Sequence, residues 1–186
     1  MKKIIIAAAF IGFTTAANAQ NTQNASANAS QTVQLQLSNA LEISFTSNNN
    51  ATGSTVSLPF STVAHYAAGV ESAEQELKVR SNKKFNVTVK TSSSNFTFSN
   101  GGSVNNSNMP VSVLGLALTE NAPGGQVGQG FSSTSFKSLT EAPQSLITNA
   151  NNGGNQTFAV KYKATPGFDY PAGTYTTSVI YTATQQ

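Results

Sequence analysis

The sequence predicts an all-β fold, an antiparallel β-sandwich, and three observations predict it. Short runs in which apolar and polar residues alternate recur along the chain, as strands with one buried face require. Clusters of Asn, Gly, Ser and Pro separate those runs and supply the turns. No stretch carries a sustained 3.6-residue apolar period, so no long helix is expected. Roughly eight or nine strands are anticipated, with a small barrel as the alternative closure. The absence of a fixed-period repeat argues against solenoids, propellers and stacked amyloid repeats.

The chain has 186 residues. Met1-Lys2-Lys3 is positive, Ile4 to Phe13 is apolar, and Ala17-Asn18-Ala19 is a small-x-small site. Residues 1–19 therefore read as a secretory signal peptide cut after Ala19, its apolar run falling short of the roughly 20 residues of a membrane span. Export is expected, to the periplasm, the cell surface or the extracellular space, with no membrane span after cleavage. Gln20 to Gln31 is small, polar and aperiodic and reads as a flexible leader. A single β-sandwich domain is expected over residues 32–186.

From Thr32 the pattern changes. Val33, Leu35, Leu37, Leu41, Ile43 and Phe45 share one parity, broken at Asn39. This predicts the domain's own first strand, whole or in two pieces. The alternative is a donor segment that completes the sheet of another chain. Asn48 to Gly53 is a turn, and Thr55 to Phe60 alternates again, with Pro59 placing its end at an edge or bulge. Ser61 to Glu76 reads as a short helical turn or a crossover loop. Leu77 to Ser81 and Phe85 to Thr91 read as a hairpin about Asn82-Lys83-Lys84, with Phe85, Val87 and Val89 facing inward.

Phe96 and Phe98 mark a short strand before a loop at Ser99 to Ser103. Met109 to Thr119 is the most apolar strand and so is expected to be central. Asn121 to Gly130 reads as a long loop, Phe131 to Leu139 as an edge strand, and Pro143 to Gly154 as another loop. Gln156 to Ala164 alternates, with Phe158, Val160 and Tyr162 inward. After a turn, Pro171 to Thr184 is the closing strand, with Tyr175, Val179 and Tyr181 on its buried side. Its expected neighbour is Thr157 to Ala164.

Chemistry is scarce. There is no Cys, which excludes disulfides, thiolate ligands, a Cys nucleophile and a lipid-modified Cys. Losing Lys2 and Lys3 lowers the formal charge from +3 to +1, so no electrostatic case for nucleic acid or an anionic membrane remains. His65 is the only histidine and lies in no motif. Glu71, Glu74 and Glu76 offer oxygen ligands but lack the spacing of a Ca²⁺ loop, and read as a solvated face. Glu42, Glu120, Glu141 and Asp169 are isolated, so no catalytic carboxylate pair can be nominated. Pro123 to Gly130 lacks the Lys-Ser/Thr and the following helix of a phosphate loop. No catalytic residue, metal or cofactor is assigned, and an enzyme is the least favoured class. With no Trp present, Tyr66, Tyr170 and Tyr175 are the candidate ligand contacts, whereas Tyr162 and Tyr181 fall in strand patterns and read as core. Asn-x-Ser/Thr triplets at Asn24, Asn28, Asn86 and Asn95 read as by-products of an Asn- and Thr-rich composition.

Pro171-Ala172-Gly173-Thr174-Tyr175, followed by Ser178-Val179-Ile180-Tyr181-Thr182-Ala183, resembles the end of secreted bacterial β-sandwich domains of the fimbrial subunit and spore-coat protein U-like type. The Leu77 to Val87 segment is similar to a strand pair of such domains. The chain departs from many pilins in lacking a Cys pair. The resemblance implies an immunoglobulin-like sandwich and a non-enzymatic surface role, as a pilin-like subunit or adhesin. Its partners would be copies of itself or other surface proteins. The alternative is a carbohydrate- or peptidoglycan-binding module with a glycan partner, using Tyr66, Tyr170 and Tyr175.

Overall fold

A computed structural model describes residues 26–47, 49–50, 52–100 and 103–186, with the side chains of 103–107 excepted. The signal peptide expected over 1–19 and the start of the leader, residues 20–25, lie outside the described residues. The chain divides into two units, Met1–Gln36 and Leu37–Gln186. In the first, residues 26–36 form neither helix nor strand and are exposed. The second is the sandwich.

In chain order the elements are β1 (Leu41–Phe45), α1 (Val63–Ala68), β2 (Val70–Glu71), β3 (Gln75–Ser81), β4 (Phe85–Thr91), β5 (Asn95–Asn100) and β6 (Ser103–Pro110). A 3₁₀ turn at Val111–Val113 leads to β7 (Leu114–Asn121), β8 (Gln126–Val127), β9 (Lys137–Ser138), β10 (Gln144–Ala150), β11 (Gly153–Ala164), β12 (Thr174–Thr176) and β13 (Val179–Gln185). Three antiparallel sheets result. The first runs β1-β3-β11-β7-β9, with β2 on the end of β11; the second runs β13-β4-β10-β8; the third runs β12-β5-β6.

The core is filled by alternate residues of these strands. Leu77 and Val79 of β3, Leu116 of β7 and Phe158 and Val160 of β11 come from the first sheet, and Phe85, Val87 and Val89 of β4 with Leu146 and Ile147 of β10 from the second; all are fully buried. Burying such a side chain contributes about 1.5–3 kcal/mol. β7 is buried at every position from Leu114 to Leu118, so both its faces are covered, as its unbroken apolar run predicts. It lies between β11 and the two-residue β9, which is all the ladder that Phe131 to Leu139 forms.

Several expectations are corrected. β3 and β4 are not a hairpin: β3 pairs with β1 and β11, and β4 with β13 and β10. The chain changes sheet at Asn82-Lys83-Lys84, where the Ser81 hydroxyl donates to the Lys83 carbonyl at 2.6 Å and accepts from the Lys83 N–H at 3.2 Å. Period-two alternation reads alike for strands paired edge to edge and strands facing each other across a core. For the same reason the closing strand does not pair with Thr157 to Ala164. β13 lies in the other sheet, beside β4. The segment read as one closing strand also breaks at Thr177-Ser178, and its first part, β12, joins β5 in the third sheet.

Thr32 to Phe45 forms a strand only over β1, and residues 32–40 form none. Thr55 to Phe60 keeps its alternation, with Val56, Leu58 and Phe60 half-buried, but enters no ladder. Pro59 offers no N–H to one. Ser61 to Glu76 contains both the helical turn, α1, and a short strand, β2. Pro143 to Gly154 is not a loop: it holds β10, an interior strand of the second sheet, and only Asn151 and Asn152 separate β10 from β11. Asn121 to Gly130 contains β8, paired with Ile147 and Thr148 of β10. Met109 to Thr119 is divided by the 3₁₀ turn that follows Pro110.

Candidate functional site

Two surfaces stand out, and the first is an open seam between the sheets. β13 pairs with β4 over seven residues without a bulge, and its other edge has no strand partner among the described residues. Its sequence, Val-Ile-Tyr-Thr-Ala-Thr-Gln, carries neither charge nor Pro. Lys, Pro, a bulge and extreme shortness, all of which blunt a sheet edge, are therefore missing here, and the segment lying along this edge is β1. The far edges of the two main sheets, by contrast, are the two-residue strands β9 and β8.

β1 borders the same seam, and between it and β13 lies a groove of about 160 Å³ lined by Ile43, Phe45, Leu77, Val179, Ile180 and Tyr181. The Phe45 ring stands edge-on to Tyr181 at 6.2 Å. One end of the seam is pinned by Gln185, whose Nε2 donates to the Ala40 carbonyl at 2.8 Å and to Ser81 Oγ and Asn82 Oδ1 at 3.0 Å each. Deeper in, Tyr162 and Tyr181 share a hydroxyl–hydroxyl hydrogen bond of 2.8 Å. Burial pushes the Tyr162 phenol up to about 12, against a smaller downward pull from Tyr181. Burial, and then the adjacent Tyr162, pushes Tyr181 well above the ordinary phenol range. Both phenols are neutral near pH 7 and act as a structural tie.

The described residues ahead of β1 hold a matching element. Val33, Leu35 and Leu37 are 78%, 81% and 90% exposed, in a stretch with no ladder of its own. Thr32-Val33-Gln34-Leu35-Gln36-Leu37 is uncharged, like β13, and alternates apolar with polar.

The second surface is aromatic, and it gathers the three candidate tyrosines. Tyr66, on α1, packs between Phe60 at 5.3 Å and Phe168 at 5.4 Å, the latter stacked with 21° between ring planes. Tyr175, on β12, packs against Phe98 of β5 at 4.9 Å and edge-on to Tyr170 at 6.4 Å. Its hydroxyl donates to the Pro171 carbonyl at 2.9 Å. Burial first, then the nearby Tyr170 and Tyr66 phenols, push the Tyr175 phenol up. Phe60, Phe98 and Phe168 are absent from the candidates named by sequence. The signal for Phe168 was its place in Pro166-Gly167-Phe168-Asp169-Tyr170-Pro171, a turn bracketed by prolines, where a large ring has no strand face to fill.

The ionisable residues are dispersed. His65 Nδ1 accepts from the Ser61 N–H at 3.2 Å at the start of α1, and its own N–H meets the capping Thr62 hydroxyl at 3.3 Å. Glu71 pairs with Lys163 at 3.1 Å, Glu74 accepts from the Thr119 hydroxyl at 2.6 Å, and Glu42 pairs with Arg80 at 3.2 Å. Among the described residues no group of three His, Asp or Glu side chains is arranged to hold a metal ion. No helix among them is long and apolar enough to cross a membrane.

No family model and no curated protein matches the chain. Function is therefore inferred from the two surfaces.

Proposed function

We propose that the protein is an exported, non-enzymatic structural subunit, pilin-like in its assembly, in which residues 32–37 of one copy add as a strand to the open edge of β13 in another. One observation carries this reading: a single chain holds an exposed, uncharged, alternating segment and an uncharged, unblunted strand edge. Strand addition supplies main-chain hydrogen bonds along the edge, and alternate side chains entering a groove supply specificity. Val33, Leu35 and Leu37 have the period-two spacing for this, and the groove lined by Ile43, Phe45 and Val179 supplies an apolar receptor. The resemblance of the closing segment to fimbrial subunit and spore-coat protein U-like domains, and the signal-like residues 1–19, support the same reading. An adhesin carried on such an assembly is consistent with it.

The test is a synthetic peptide spanning Ser30 to Asn39, titrated into the full chain after cleavage at Ala19. The peptide should bind, and should shorten assemblies formed at high protein concentration, while a peptide carrying Leu35→Lys should do neither. A chain that stays monomeric at every concentration and ignores the peptide would refute the proposal.

A further inference from the structure

We propose a second, independent function for the aromatic surface: the Phe168 ring, backed by Tyr66 and flanked by Asp169 and Tyr170, is a stacking platform for an uncharged, hydroxyl-rich polysaccharide. It does not rest on strand addition, and it uses no residue of the seam.

Phe168 is 65% exposed even though one of its faces is stacked on Tyr66. Its other face is therefore open to solvent. An exposed Phe gains nothing from the core, yet this one is held with care. Gly167 supplies a left-handed backbone (φ 67°), and Pro166 and Pro171 bracket the turn. The Tyr175 hydroxyl fastens the far end of the turn through the Pro171 carbonyl. Behind the ring, Tyr66 is itself backed by Phe60. A ring carried on a turn bracketed by two prolines and supported from behind loses less entropy when a ligand is placed on it than one on an unsupported loop.

The chemistry of the surroundings selects the ligand. Residues 165–178, which carry Phe168, Tyr170 and Tyr175, hold a single formal charge, Asp169. Residues 60–70, which carry Phe60 and Tyr66, hold none at neutral His65. Lys163, whose side chain reaches Gly69 at the end of α1, is paired with Glu71 at 3.1 Å, so these two segments offer a polyanion no free cation. Asp169 is exposed, and among the described residues no ion pair or hydrogen bond engages its carboxylate. A carboxylate beside an open ring face suits a pyranose: axial C–H groups lie on the ring while neighbouring hydroxyls donate to the carboxylate and to tyrosine oxygens. A protein partner is less well served. The apolar groove able to anchor a partner's side chain lies at the β1–β13 seam, and none of its lining residues belongs to this surface.

The experiment is affinity electrophoresis of the full chain through gels containing a neutral β-glucan, a neutral mannan, glycol chitin or alginate. At least one of the three non-anionic gels should retard the wild type, and alginate should not. Phe168→Ala, an exposed position at which the fold should be kept, should weaken that retention about tenfold, while Phe168→Tyr should preserve it. Asp169→Asn should weaken retention less. The proposal is overturned if no neutral gel retards the wild type, or if retention is unchanged in the Phe168→Ala, Tyr66→Ala double variant with its far-ultraviolet circular dichroism intact. It is equally overturned if Phe168→Ala abolishes self-association while glycan retention is untouched, since the surface would then be a protein contact.

Discussion

The hydroxyls of Tyr162 and Tyr181 meet at 2.8 Å across the core, joining β11 of the first sheet to β13 of the second. Tyr181→Phe leaves the Tyr162 hydroxyl buried without its partner and should cost about 1–3 kcal/mol. The double change to Phe at both positions should cost less than the sum of the singles, because it leaves no orphan. Urea unfolding of the four proteins completes the cycle.

The same pair fixes a pH dependence. The folded pKa of Tyr162 lies above its unfolded value, so the folded state keeps a proton that the unfolded chain releases. Its contribution is fully present below pH 10 and is lost as pH rises from 10 through about 12. Stability should fall by about 1.4 kcal/mol per pH unit in that window for this phenol, and Tyr162→Phe should flatten the slope. Denaturant midpoints between pH 8 and 11.5 measure it.

Ser44 should be improvable. Its side chain is buried in β1, and its Oγ has no hydrogen-bond partner among the described residues. Ser44→Ala removes an unsatisfied hydroxyl at little cost in volume and should raise stability by about 1 kcal/mol. A rise in thermal midpoint of a few degrees is the expected readout, and a fall would mean that the hydroxyl has a role this geometry does not account for.

Gly128 should not tolerate a side chain. A Cβ there would collide with the Ser145 carbonyl, because the loop after β8 runs directly against the backbone of β10 and the Gly128 N–H donates to the Leu146 carbonyl at 2.9 Å. The obstacle is backbone, so it cannot rotate away. Gly128→Ala should destabilise by about 1–3 kcal/mol, measurable by the same unfolding titration.

At the seam, one charge should separate assembly from folding. Ile180 is 39% exposed on β13, so Ile180→Lys should leave the free energy of unfolding within about 1 kcal/mol of wild type while suppressing concentration-dependent association. Leu35→Lys on the opposing element should give the same outcome. Analytical ultracentrifugation over a range of concentrations checks both.

Much of the fold is legible in the sequence because burial follows parity. Phe85, Val87 and Val89, and likewise Phe158, Val160 and Tyr162, are inward as their alternation requires. What parity cannot encode is which strand lies alongside which, and so β3 with β4, and β13 with β11, read as neighbours when they face each other across the core. β10 was hidden for another reason. Its buried Leu146 and Ile147 are adjacent, not alternate, and the ladder with β4 shifts register beside them. Such a strand has no clean period, and its Asn, Thr and Ser residues read as loop. At the aromatic surface, Tyr66 and Tyr170 are legible as tyrosines outside strong strand patterns, and Tyr175 as one at the start of the closing strand, beside its Pro-Gly turn. That they converge depends on α1, β12 and the turn between prolines meeting in space, which no local pattern records.

Under the proposed strand addition, the groove beside β13 would also act as a phase filter. At about 160 Å³ it is close to the size of the cavity of about 150 Å³ that accepts a benzene-sized guest, so it holds one large apolar side chain and little more. A backbone edge alone accepts any extended chain in any alignment. With one apolar receptor beside it, a slip of one residue would replace Leu35 by Gln34 or Gln36 and bury an amide where nothing bonds it. An edge without charges is indiscriminate about sequence; in such an assembly the groove would give it a reading frame.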